Sequence, residues 1–200
     1  VSNNLFITTY YLRDYHYQKQ KNNAFYHIQT ANLPFQNVEF HFIGTGSKPT
    51  DPESYNIKPL AEKYGLWKSI VHEYPKRIPY LDVLVHLEEA DAVFILGSTE
   101  PHYTPSKTYQ AVLSHKPIWA ILHEKSSAAQ ILVATKAASV LTFDGEEGVE
   151  NLNSNIVSSF NDFVAFRENY NPDQVDLEIF DTYSAKNVTQ HLVDLLNKVT

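Results

Sequence analysis

Cysteine is absent from the 200 residues. That excludes disulfides, thiolate nucleophiles and cysteine-ligated zinc, and it agrees with a reducing compartment without requiring one. No apolar run approaches the roughly 20 residues needed to span a bilayer. No basic-then-apolar leader opens the chain and it does not begin with Met, so Val1 reads as a cut point inside a longer protein. Positive charge is also in short supply. Lys and Arg number 16 against 23 Asp and Glu, with a formal net charge of −7 and a pI near 5.7, which argues against a nucleic-acid-binding domain. There is no internal repeat and no linker composition. The motifs of several chemistries are missing too. Without Gly-Lys-Ser/Thr, P-loop hydrolysis has no support. Without His-Glu-x-x-His or a strict Asp-x-Asp, the nine scattered histidines give no reason to expect a metal, and His41 and His86 read as packing or surface residues. Without Gly-x-Ser-x-Gly, serine hydrolysis has none either.

What is present describes a globular chain. It is 43% hydrophobic and 20% charged, which excludes disorder and low complexity and suits one domain over residues 1–200. Charge is uneven. Residues 1–50 carry four Lys and Arg against two Asp and Glu, whereas residues 151–200 carry three against seven. An anionic small molecule would be better received near the first loop than near the tail, although so small an excess also fits chance.

Six apolar runs have strand length: Leu5–Tyr10, Val38–Ile43, 69–73, Ala92–Leu96, 117–122 and 140–143. Several are apolar throughout, as suits strands covered on both faces. Helical spacing falls between them. Leu81, Leu84, Val85 and Glu88 form a narrow stripe. Thr104 and Pro105 read as N-cap and N1 of a helix whose inward stripe is Tyr109, Val112 and Leu113. Residues 126–137 are Ala-rich and helical, and 151–181 suggest one or two helices. The segment at about 184–199 is amphipathic through Val188, Leu192, Leu195, Leu196 and Val199. The alternation predicts an α/β fold, a doubly wound, mainly parallel six-stranded Rossmann-like sheet. Right-handed crossovers then bring the loops after the strands to one edge, where such folds bind ligands. Those loops are 11–19, 44–48, 74–77, 97–104 and 123–126.

The richest of these is Gly97-Ser98-Thr99-Glu100-Pro101-His102-Tyr103-Thr104-Pro105-Ser106-Lys107. It leaves an apolar strand and enters a capped helix. First-turn N–H groups and the positive helix end, together with Lys107, suit a phosphate; equally, Thr104 caps a purely structural helix. Arg13, Lys19 and Lys21 follow the first strand and can close on a diphosphate or remain solvated. Tyr10, Tyr11, Tyr15 and Tyr17 beside them suit stacking on a base or sugar, or a covering loop. Gly44-Thr45-Gly46 lacks the third glycine of a dinucleotide fingerprint and reads as a turn.

The segment 104–118, TPSKTYQAVLSHKPI, resembles the Pro-Ser-Lys-x-x-Glu-x-x-x-x-Gly-Lys-Pro stretch of GT-B glycosyltransferases, and more narrowly of the C-terminal, nucleotide-sugar-binding domain of the group 1 type. VEFHFIGTG at 38–46 and HEYPKRIPYLDVLVHLEEADAVFIL at 72–96 extend the likeness at the level of the fold. The resemblance implies a single GT-B half. It implies a uridine or guanosine diphosphate sugar as substrate, no separate cofactor and no metal. The diphosphate would be met by Pro105, Ser106 and Lys107 at the helix start and by Arg13, or second Lys19, after the first strand. Arg13 and Lys107 would carry the catalytic role of stabilising the leaving group. The base would be held by the loop with Tyr74 and Lys76, and Ser98, Glu100, His102 and Thr104 would line the donor site. Three departures accompany the match. The family's ribose-binding acid falls on Gln110, which lacks the charge and double acceptor of a carboxylate. The first of its paired glutamates falls on His102, with Glu100 two residues away. The usual Gly before Lys-Pro is His115.

The expected function is therefore donor binding for a retaining, metal-independent glycosyltransferase of glycan or polysaccharide synthesis. An N-terminal acceptor domain would complete it, and the single domain would not turn over. The expected location is cytoplasmic, at most at the inner membrane face, with a glycan or lipid-linked acceptor as partner and neither nucleic acid nor a transmembrane segment. Two alternatives stay open: a non-catalytic relative that binds a nucleotide or partner protein, and a nucleotide-sugar 2-epimerase-like isomerase.

Overall fold

A computed structural model describes residues 5–10, 35, 37–48, 50–102, 107–145, 148, 152 and 155–198. Six strands form one sheet: β1 (Leu5–Tyr10), β2 (Val38–Ile43), β3 (Val71–Tyr74), β4 (Ala92–Leu96), β5 (Ile118–His123) and β6 (Ala138–Phe143). Their order is β3-β2-β1-β4-β5-β6, and every neighbouring pair is parallel. All six coincide with apolar runs of the sequence. β3 starts two residues later than 69, because the N–H groups of Ser69 and Ile70, and of Val71 where the strand begins, bond back to Leu66 O, and β6 starts two residues before 140. The order reverses between β1 and β4, which makes their carboxyl ends the switch point of a doubly wound sheet.

Among the described residues the α-helices are α1 (Lys58–Lys63), α2 (Tyr80–Glu89), α3 (Lys107–Leu113), α4 (Ser127–Ala134), α5 (Ile156–Glu168), α6 (Leu177–Asp181) and α7 (Ala185–Asn197). Of these, α1 has no counterpart among the sequence expectations. Right-handed crossovers sort them into two layers. On one face Phe40, Phe94 and Trp119 pack with Ile57 and Ala61 of the α1 region and with Phe160 and Phe163 of α5. On the other, Val93, Ile95 and Ala120 pack with Val83 and Leu87 of α2, Ala111 and Val112 of α3 and Ala128 of α4. Trp119 is central: its ring lies 4.8 Å from Phe94 and 5.2 Å from Phe160. Its indole N–H donates to Ser159 Oγ at 3.1 Å, which removes the cost of burying that donor.

Three helical stripes differ from expectation. In α2 the buried pair is Val83 and Leu87, one turn apart, while Leu81, Leu84 and Val85 are exposed. The helix is apolar on more than one side, and the side with Val83 and Leu87 meets Val93 and Ile95. In α3 the small residues Thr108 and Ala111 join Val112 against the sheet, leaving Leu113 exposed. In α7 no residue is buried, and Val188, Leu192, Leu195 and Leu196 are all exposed. No helix of the described residues is long and apolar enough to cross a membrane.

Candidate functional site at the carboxyl edge of the sheet

The loops after β2 and β3 are bound to each other. Gly44 N–H donates to Tyr74 O at 2.8 Å and Gly46 N–H to Pro75 O at 2.9 Å. Gly44 sits at φ +72°, and a Cβ on Gly46 would come within 2.7 Å of Pro75 O. The glycines thus serve a turn and a close approach of the protein's own backbone, in agreement with the structural reading of that motif. Beneath them lies Glu73, only 5% exposed. Its carboxylate accepts from Thr45 Oγ1 at 2.5 Å and from the N–H groups of Asn56 at 2.8 Å, Ile57 at 2.9 Å and Lys58 at 2.7 Å. Those amides open α1, so its anion-seeking end is filled from within. Sequence reasoning missed Glu73. Its only signal is a carboxylate at an inward position of a short strand, beside Val71.

The loop after β4 is arranged differently. Gly97 packs tightly on β5: its N–H donates to Ile121 O at 2.7 Å, and a Cβ would lie 2.8 Å from Leu122 Cδ2. Ser98 follows, buried, and its hydroxyl accepts from Glu100 N–H at 3.2 Å. The chain then rises into the open. Glu100 is half-buried and His102 exposed. Lys107, half-buried, is the first described residue of α3. The described part of this loop, Gly97 to His102, is made of small and polar residues and leaves the sheet at its switch point.

Beyond it, His123 ends β5 with only 1% exposure. Its Nδ1 accepts from Lys125 N–H at 3.1 Å, and its Nε2 lies 3.3 Å from Gly145 N and 3.5 Å from the Asp144 carboxylate. Lys125 reaches the same carboxylate at 3.5 Å. The sequence placed His123 at this edge without assigning it a role. A histidine as the last residue of an apolar strand is the signal.

The expected site residues fall in three groups. Ser98, Glu100, His102 and Lys107 share the loop after β4 and the helix it enters. Tyr74 and Lys76, both exposed, belong to the loop after β3, and the Tyr74 ring stacks near His41 at 5.9 Å. Gln110 lines a groove of about 430 Å³ between α2 and α3, with Tyr80, Leu84, Leu87, Leu113 and His115. Its amide oxygen is buried without a hydrogen-bond partner. Arg13, Lys19, Thr104, Pro105 and Ser106 lie outside the described residues, as do Lys21 and the tyrosines at 11, 15 and 17.

No family model matches the sequence, and no curated protein matches it either. Solved structures do. An α,α-trehalose 6-phosphate synthase from Burkholderia multivorans aligns over 98% of this chain and 43% of its own, at TM-score 0.66 and 14% identity. TarM aligns over 98% and 36%, at TM-score 0.62 and 16% identity. A protein assigned as a UDP-N-acetylglucosamine 2-epimerase from Listeria monocytogenes aligns over 91% and 46%, at 0.51 and 9%. The chain has the Rossmann-like fold of one half of a GT-B glycosyltransferase, and it spans less than half the length of these neighbours.

Proposed function

We propose that this chain is the donor half of a retaining, metal-independent glycosyltransferase of glycan or polysaccharide synthesis. The observation that carries the proposal is the loop after β4. It leaves the sheet at its switch point, and α3, described from Lys107, follows it in the chain. The donor is a nucleoside diphosphate sugar, with uridine or guanosine as its base. Ser106 and Lys107 receive the diphosphate at the helix start, with Thr104 and Pro105 setting that start, and Arg13 closes from the opposite side. The loop with Tyr74 and Lys76 holds the base, and Gln110 accepts from a ribose hydroxyl. Ser98, Glu100 and His102 border the sugar. As the bond to the anomeric carbon breaks, negative charge grows on the leaving diphosphate. Fixed N–H dipoles and the cations Lys107 and Arg13 bind that charge more tightly than the ground state, which lowers the barrier.

The acceptor is a glycan or lipid-linked glycan, presented by a second domain. Two observations support a partner domain. The chain covers under half of each compared neighbour, and α7 exposes a row of apolar side chains. On this reading the chain alone binds nucleotide and does not turn over, and it works in the cytoplasm. A second reading is favoured by the epimerase neighbour, namely a nucleotide-sugar isomerase on the same donor site. Thermal unfolding with UDP and GDP tests what both share. At a hundred times the dissociation constant, one of them should stabilise the chain by about 2.7 kcal/mol. No shift with either would leave a protein-binding relative as the better account.

A further inference from the structure

The face of the sheet packed by α2 carries a polar cluster that the donor reading does not use. β2 alternates strictly. Val38, Phe40 and Phe42 point into the core shared with α1 and α5, so Glu39 and His41 point to the opposite face. The parallel register sets His72 of β3 directly beside His41. His41 Nε2 lies 3.1 Å from Glu39 Oε2, and His72 Nε2 lies 3.6 Å from the same oxygen. The three donor atoms all fall within 4.8 Å of one another. His72 Nε2 is shielded from solvent and has no hydrogen-bond partner, an arrangement that a buried nitrogen rarely keeps without a use. The three side chains are 12–30% exposed, so solvent and ions can still arrive. Burial, opposed by the hydrogen bond to Glu39, holds the His41 pKa below the ordinary histidine value.

We propose that Glu39, His41 and His72 form a binding site for a divalent transition-metal ion of the zinc class, clipping the edge strand β3 to β2. Two imidazoles and one carboxylate are borderline donors suited to Zn²⁺ and poorly suited to Mg²⁺. With metal–ligand bonds of about 2.0–2.2 Å, tetrahedral ligands lie about 3.3–3.6 Å apart. The two histidine–carboxylate separations, 3.1 and 3.6 Å, lie close to that spacing. A three-ligand set leaves a fourth position for water. Loading also requires a movement. The two imidazole rings are stacked, 4.6 Å apart and 12° from parallel, and an ion must lie near the plane of each ring it binds. One ring must therefore turn as the ion enters, which unstacks the pair. The sequence hides this site because its halves, Glu-x-His and His72, are joined only by the strand register.

The test is a ZnCl₂ titration of the whole chain, followed by calorimetry and by histidine side-chain ¹⁵N NMR. The proposal expects one saturable ion per chain, no comparable heat with MgCl₂, and the largest shifts at the ring nitrogens of His41 and His72. His72→Ala should weaken Zn²⁺ binding at least tenfold, since losing even an outer partner of a metal ligand costs about 10–100-fold. His191→Ala, on the exposed α7, should leave affinity unchanged. Should His72→Ala or His41→Ala fail to fold, the NMR shifts of the wild-type chain decide alone. Absence of saturable binding, unchanged affinity in folded His72→Ala, or zinc shifts confined to other histidines would overturn the site.

Discussion

The loops after β2 and β4 both leave the sheet through a glycine, and they end in opposite ways. After β2, the protein answers its own demands. Gly44 and Gly46 donate to the β3 loop, and Glu73 occupies the amides that open α1. An external phosphate has nothing to gain there, because an internal carboxylate already satisfies that helix end. After β4, no carboxylate of comparable burial is seen among the described residues: Glu100 and Lys107 are half-buried and His102 is exposed. A helix start near a strand end is therefore not evidence of a phosphate site until one asks what already fills it.

The largest effect should come from emptying the filled helix end. Glu73→Ala strips one hydroxyl and three N–H groups of their acceptor in a buried place. It should lower stability by about 3 kcal/mol or more in urea unfolding. If it costs less than about 1 kcal/mol, water or a ligand reaches those amides and the contrast between the loops fails. Next, Gly46→Ala drives a Cβ against Pro75 O and should cost about 1–3 kcal/mol by the same measurement, with little effect on nucleotide affinity. On the other loop the signs reverse. Lys107→Ala should leave the unfolding midpoint nearly unchanged. It should weaken UDP or GDP about tenfold, roughly 1.4 kcal/mol, and the bare nucleoside hardly at all, as read by calorimetry. Equal loss for nucleotide and nucleoside would mark Lys107 as structural.

The smallest effect concerns His115, two residues past the end of α3, at φ +57°. A left-handed residue past a helix end favours glycine, the residue that the GT-B resemblance places there. His115→Gly should raise stability by about 0.5 kcal/mol, strain relief being partly offset by glycine's extra unfolded-state freedom. A loss would mean that the imidazole contributes to the α2–α3 groove that it lines.

The sheet was legible because buried parallel strands need unbroken apolar runs, and β4 and β5 provide them. Which side of a helix faces inward was less so. In α2, Leu81 and Val85 compete with Val83 and Leu87, and only the sheet decides between them. The Lys107 helix could be read from the Thr-Pro pair at 104–105 as a sequence signal and from the GT-B resemblance. Glu73 could not, since its partners lie 15 to 28 residues away in sequence. Nor could the Glu39, His41 and His72 cluster, which exists only once β2 and β3 are in register. Gln110 had no signal of its own: the GT-B resemblance alone gave it a ribose role, and the fold adds that it lines the α2–α3 groove.

Amide mapping by ¹⁵N NMR, with UDP and GDP titrated into the chain, compares the two loops in one measurement. The account predicts that the largest shifts fall on Ser98 to His102 and on Lys107, while Gly44, Gly46 and the amides held by Glu73 stay still. Shifts centred on Gly44–Lys58, or none with either nucleotide, would contradict it.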